Sequence, residues 1–125
     1  RKVYAGRELQ FASRIEDVRY AMEEGDWMEL CGNLLDNATK HANHRVDIEL
    51  TQTDDHIALT IGDDGKGFPD DTQTLLKRGQ RADSLAPGQG IGLAVVANLA
   101  SGYGIKIVLE NQPEGGALAQ ILMPL

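Results

Sequence analysis

Cysteine is nearly absent. Cys31 is the only one in 125 residues, so no internal disulfide can form, and the chain fits a reducing compartment. Three histidines and that one cysteine leave no ligand cluster of the zinc type. No apolar run approaches the roughly 18 residues that a membrane-spanning helix needs. The first residues, Arg1-Lys2-Val3-Tyr4-Ala5-Gly6-Arg7, have no apolar signal core behind them. Positive charge is also in short supply: 12 Lys and Arg against 19 Asp and Glu give a net charge of -7. Such a chain has no overall basic field for a nucleic-acid backbone, which disfavours nucleic-acid binding. Its longest basic cluster is Lys77-Arg78-x-x-Arg81. No internal repeat, low-complexity tract or interdomain linker interrupts it.

What is present is the material of one globular domain: 42% hydrophobic and 25% charged residues, enough to bury a single core. Residues 2–22 alternate loosely through Val3, Leu9, Phe11, Ile15, Val18 and Tyr20, which predicts two or three short strands with Gly6 at a turn or bulge. Residues 26–42 predict a helix. Leu30, Cys31, Leu34, Leu35, Ala38 and Ala42 recur at helical spacing, and Asp26 with Glu29 resembles a capping box. Residues 45–52 and 57–61 alternate apolar and polar around the turn Thr53-Asp54-Asp55, as an antiparallel hairpin does. Pro69 is placed to open a short helix over 70–77, with Gly79 to stop it. Residues 78–90 read as a long loop, and loops of that length are commonly functional. Residues 91–100 are apolar almost all round, a buried helix. Residues 105–110 and 117–123 predict a last hairpin. The fold expected is an α/β two-layer sandwich, a mixed and mostly antiparallel sheet with about three helices on one face.

Three features suggest chemistry. Glu29, Asn33, Asn37 and Lys40 step by four, four and three, so they share one stripe of the first helix, with His41 beside it. Two mid-helix asparagines compete with the backbone and are poor choices for stability alone. Their amide oxygens suit a hydrated magnesium ion or a phosphate, and the same stripe also serves as a solvated polar face. Second, Asp63-Asp64-Gly65-Lys66-Gly67 ends a strand. It is either a plain turn or a place where a flat ligand approaches the backbone and a carboxylate accepts from an exocyclic amine. Third, Gly88-Gln89-Gly90-Ile91-Gly92-Leu93 enters the apolar helix, where free amides and the helix dipole attract phosphate. The strand required before a Rossmann fingerprint is missing, and the spacing fails the Walker A pattern. Lys77, Arg78 and Arg81 lie between the glycine motifs, either as a solvated loop or as a clamp on a triphosphate.

In this order the motifs resemble the nucleotide-binding boxes of the GHKL superfamily, which joins gyrase, heat-shock chaperone, histidine kinase and MutL. The N box is Asn33-Leu34-Leu35-Asp36-Asn37-Ala38-Thr39-Lys40-His41. The G1 box is Asp63 to Gly67 and the G2 box Gly88 to Leu93. Gly32 to Ala38, Arg78-Gly79-Gln80-Arg81 and Pro87-Gly88-Gln89-Gly90 are most similar to the PhoQ-like branch of the sensor histidine kinases. The resemblance implies a Bergerat-type fold and one catalytic ATP-binding domain, residues 1–125, belonging to a longer kinase. It implies Asn37 as the magnesium ligand, with Asn33 and Gln89 beside the metal and Lys40 at the phosphates. It implies that Asp63 accepts the adenine amine, with Gly65 and Gly67 shaping that wall and His41 nearby. Arg78, Arg81 and Gln89 would meet the phosphates from a lid, and Gly90, Ile91, Gly92 and Leu93 would cradle them.

Gyrase-like members carry a glutamate at the position of Asn33, where it activates water. An amide cannot take that proton at neutral pH, so transfer to another protein is the better reading than hydrolysis. Departures from the family pattern are His41 in place of a tyrosine and Leu75-Leu76 in place of a lid phenylalanine. Ala86 replaces a basic lid residue, and Ala117 a threonine near the base. None of His41, His44 and His56 has the acidic helical context of a phosphoacceptor. The implied partner is therefore the dimerisation domain of the same kinase, with a response regulator indirectly. The implied setting is a cytoplasmic domain of an inner-membrane sensor kinase, itself without membrane contact and monomeric when isolated. An anti-sigma-factor-type serine kinase shares the boxes. So does a non-catalytic interaction module that keeps only the fold.

Overall fold

The computed structural model describes residues 9–68 and 91–125, and of residues 91–94 the backbone alone. Five strands form one sheet: β1 (Gln10–Ile15), β2 (Arg45–Gln52), β3 (His56–Asp63), β4 (Lys106–Asn111) and β5 (Ala117–Pro124), in the order β1-β2-β3-β5-β4. Two helices are described, α1 (Glu24–His41) and α2 (Ile91–Tyr103). The sheet is mixed, since β1 runs parallel to β2 and every other pairing is antiparallel. Parallel neighbours need a crossover, and α1 lies within the one that joins them.

Alternation decides which face is covered. Val46, Ile48 and Leu50 of β2 face Asp63, Ile61 and Leu59 of β3, and Ile57, Leu59 and Ile61 stand opposite Met123, Ile121 and Ala119 of β5. This face meets Leu30, Leu34 and Ala38 of α1 and Val96 and Ala100 of α2 in one continuous core. Leu30, Ile57 and Ile121 are fully buried, each with 0% of its surface exposed. The other face carries Asp47, Glu49, Thr60, Gln120 and Lys106, which is why β2 reads as a clean alternation. Burial pushes the half-buried Cys31 thiol up to about 11, so it is protonated and unreactive at neutral pH.

Several expectations meet corrections. Of residues 2–22 the structure describes 9–22, which hold the one strand β1; residues 2–8, with the expected turn at Gly6, lie outside the described residues. Val18, Tyr20 and Met22 instead pack their side chains on the edge of the core from an irregular segment. The capping box does not form. The helix starts earlier, its cap is Glu23 without a side-chain bond, and the Asp26 carboxylate is taken by Tyr103, 77 residues away. The Glu29 carbonyl accepts from Asn33 Nδ2 at 2.7 Å. The second helix runs on to Tyr103, past Ser101 and Gly102, and stops where Ile105 N–H bonds the Ala100 carbonyl at 2.8 Å around Gly104. The expected helix over 70–77 and loop over 78–90 lie outside the described residues.

The two faces of β5 should differ in energetic weight. Ile121→Ala, which empties a fully buried core position, is expected to cost about 2–5 kcal/mol. Leu118→Ala, on the half-exposed open face, should cost less than half of that. Urea unfolding of both variants checks the assignment, and equal losses would contradict it.

Candidate functional site

The asparagine stripe is real. Asn33 and Asn37 are half-buried on α1, and Lys40 and His41 are exposed on its last turn. Asn33 spends its Nδ2 on the Glu29 carbonyl, one turn back, which leaves its oxygen as the outward acceptor. Among the described residues no hydrogen bond engages the Asn37 side chain. Two amide oxygens one turn apart are a hard-oxygen set of the kind that magnesium takes together with water and phosphate. The donor chemistry therefore fits that ion.

α2 brings its start to the same place. The Tyr103 hydroxyl donates to Asp26 Oδ2 at 2.5 Å and accepts the Glu23 N–H at 3.3 Å. The bond to the Asp26 carboxylate raises the Tyr103 pKa above its ordinary value. The end of α2 thus sits at the start of α1, and the helices run antiparallel. Both rise about 1.5 Å per residue, so Ile91 and Gly92 lie level with about Ala38, next to Asn37. A helix start presents free amides and the positive end of its dipole.

Asp63 closes β3 and is 5% exposed. Its Oδ1 accepts the Gly65 N–H at 2.8 Å and the Ala117 N–H at 3.4 Å, and its backbone carbonyl accepts Gln112 Nε2 at 3.0 Å. Among the described residues no hydrogen bond reaches Oδ2. Asp63 Oδ2 is not a buried orphan, since no buried side-chain polar atom among the described residues lacks a partner; it is an accessible acceptor that an exocyclic amine can meet. The neighbouring glycines let other segments of the chain close tightly around this carboxylate. A Cβ on Gly65 would collide with the His41 carbonyl oxygen. Gly67 has φ of +86°, and a Cβ there would press on Asn111 Oδ1 at 2.6 Å.

Asp64 joins this wall to α1. Its Oδ1 accepts the N–H groups of Asn43 at 2.8 Å, His44 at 2.9 Å and Arg45 at 3.1 Å, and its carbonyl accepts Asn43 Nδ2 at 3.1 Å. Burial pulls this carboxyl upward, but the amide bonds outweigh that and hold its pKa below the usual carboxylate value. A depressed folded-state pKa means that the stabilisation is present above the unfolded value and is lost as pH falls through the folded one.

The structure therefore brings Asn33, Asn37, Lys40, His41, Asp63, Gly65 and the start of α2 to one end of the domain. Gly67 follows on the G1 wall, held against Asn111. Arg78, Arg81, Gln89 and Gly90 lie outside the described residues, and of Ile91 and Leu93 only the backbone is placed. Sequence reasoning missed Asn111 and Gln112, and it gave Asp64, inside the G1 box, no role of its own. Asn111 accepts the Phe68 N–H at 2.7 Å, and Gln112 bonds the carbonyls of Asp63 and Ala117. Their partners are 43 and 49 residues away, so no local spacing announces them. A hollow of about 490 Å³ on the open face, lined by Arg14, Arg45, Asp47 and Glu49 among others, contains none of the motif residues. Arg45 and Asp47 pair there at 2.7 Å.

Residues 22–125 match the family model described as histidine kinase-, DNA gyrase B-, and HSP90-like ATPase. The chain is 38% identical over 123 residues to the virulence sensor histidine kinase PhoQ of Salmonella typhimurium, covering 97% of this chain and 25% of that protein. It is 37% identical over the same length to the sensor protein PhoQ of Escherichia coli. It spans about a quarter of the length of these curated relatives. Among solved structures, a mycobacterial sensor histidine kinase, MprB, superposes with a TM-score of 0.77 at 26% identity, covering 93% of this chain and 81% of that one.

Two glycines separate site geometry from helix propensity. Gly65→Ala must push the His41 carbonyl aside and should lower the unfolding midpoint, with loss of nucleotide binding. Gly32→Ala, in mid-helix with nothing within 4 Å of the new methyl, should raise stability by about 1 kcal/mol. Thermal unfolding distinguishes the two, and a harmless Gly65→Ala would contradict the close approach.

Proposed function

The chain belongs to the histidine kinase-, DNA gyrase B- and HSP90-like ATPase family, and from that premise we propose that it binds Mg-ATP and donates the γ-phosphoryl group to a histidine of a sensor kinase's dimerisation domain. The observation that carries the reading is the buried Asp63 carboxylate. Its Oδ1 is fixed by backbone amides and its Oδ2 is left open, at the same end of the domain as the α1 asparagines and the start of α2.

In this reading Asp63 Oδ2 accepts the adenine amine and rejects a base that presents a carbonyl there. Asn37, with Asn33 beside it, would hold the magnesium ion, which would supply charge neutralisation at the phosphates. Lys40 lies on the same end of α1, where its ammonium meets the phosphate oxygens. The amides at the start of α2 face the triphosphate. Transfer then forms a bond between the acceptor imidazole nitrogen and the γ-phosphorus as the bond to the β–γ bridging oxygen breaks, with ADP leaving. Such chemistry needs mainly positioning and charge neutralisation. Asn33 supplies no base for water, which favours a protein acceptor over hydrolysis. A response regulator would receive the group next. We place the chain as a cytoplasmic domain of an inner-membrane kinase. Among its described residues no helix is long and apolar enough to cross a membrane.

Asp63→Asn should weaken ATP binding by about 1–3 kcal/mol, since an amide pairs imperfectly with the amine. Calorimetry checks it, and unchanged affinity would remove Asp63 from the base site. The isolated chain should release phosphate from ATP very slowly. Adding the dimerisation domain of the full-length kinase should give an acid-labile phosphohistidine on that domain. Asn37→Ala should abolish the product while far-UV circular dichroism stays unchanged. Brisk phosphate release by the wild-type chain alone would overturn the phosphodonor reading.

A further inference from the structure

The site has two halves held by separate means. Asp63, at the base end, is fixed from the β4–β5 side by Ala117 N–H and Gln112 Nε2, and locally by Gly65 N–H. None of those bonds comes from α1. Asn33 and Asn37, at the phosphate end, ride on α1, whose core contacts are Leu30, Leu34 and Ala38. Apolar packing holds a helix against a sheet but is not directional. Hydrogen bonds give the directional tie, and the described ones between the end of α1 and the G1 wall converge on one residue. Asp64 takes three successive amides, Asn43, His44 and Arg45, from the turn that leaves α1, and Asn43 Nδ2 returns to the Asp64 carbonyl. Gly65, the next residue, backs onto the His41 carbonyl.

We propose that Asp64 is a positioning residue that sets the distance between the base-binding and phosphate-binding halves of the nucleotide site. It touches neither half of the ligand and acts through the end of α1. This inference rests on the ATP-binding reading and adds to it a selective consequence. Loss of Asp64 leaves the Asp63 acceptor in place, so a ligand that uses only the base half keeps its affinity. A ligand that must span both halves loses affinity. A residue that merely supports the fold would weaken both ligands alike.

The experiment compares adenosine with Mg-ATP by calorimetry on the 125-residue chain. Asp64→Ala should lower Mg-ATP affinity about tenfold, the scale of losing hydrogen bonds to a charged group, and leave adenosine within about twofold. Asp64→Asn keeps an acceptor at the Oδ1 position, which takes all three amides, loses only the second His44 N–H bond to Oδ2 at 3.1 Å, and should restore Mg-ATP binding to within about threefold of wild type. Asp55→Ala is the structural control. It removes a turn carboxylate bonded to Thr53 and His56 at the far end of the β2–β3 hairpin and should change neither affinity. Should Asp64→Ala fail to fold, Asp64→Ser, with one shorter acceptor, carries the same comparison. Equal losses for both ligands, or no loss for Mg-ATP, overturn the inference. Absence of Mg-ATP binding by the wild-type chain would instead overturn the reading beneath it.

Discussion

A carboxylate buried at the end of a strand is the constraint on which the rest of this structure depends. Asp63 is 5% exposed, yet no cation is close enough to pair with it among the described residues. Its burial is tolerable because backbone amides of Gly65 and Ala117 take one oxygen. Those amides are in place only because Gly65 turns tightly under the end of α1 and the β4–β5 connection folds back on β3. Gln112 and Asn111 pin that connection to the G1 wall. The glycine content of this region is thus a consequence of how closely three backbones must meet around one side chain.

The apolar core does a different task. It lays both helices against one sheet face and, by the Tyr103–Asp26 bond, orients α2 antiparallel to α1. Antiparallel packing places the amide-rich start of α2 beside the end of α1 rather than at the opposite end of the domain. Packing thereby decides which side chains become neighbours, and the hydrogen bonds of Asp64 refine the spacing. The division matches the physics: dispersion and hydrophobic burial supply magnitude, and hydrogen bonds supply direction.

Much of this was legible in the chain. The alternation of Val46, Ile48 and Leu50 located β2, and the spacing of Leu30, Leu34 and Ala38 located α1, because both periods record one-sided burial. The ordered boxes around Asn37, Asp63 and Gly92 identified the family before any contact was known. The parallel pairing of β1 was not legible, since strand direction depends on a crossover and not on composition. The capping box failed because the helix begins at Glu24, which puts Asp26 inside the first turn, where its carboxylate accepts from Tyr103, a long-range contact that local pattern does not register. Gln112 and Asp64 look like ordinary turn residues, and only their distant partners give them roles.

The most direct test of the account is a crystal structure of the chain with magnesium and a non-hydrolysable ATP analogue. The account predicts the adenine amine within hydrogen-bond distance of Asp63 Oδ2 and the metal on Asn37 Oδ1, with the phosphates against the start of α2. A nucleotide bound in the hollow of the open sheet face, or with its base turned away from Asp63, would contradict it.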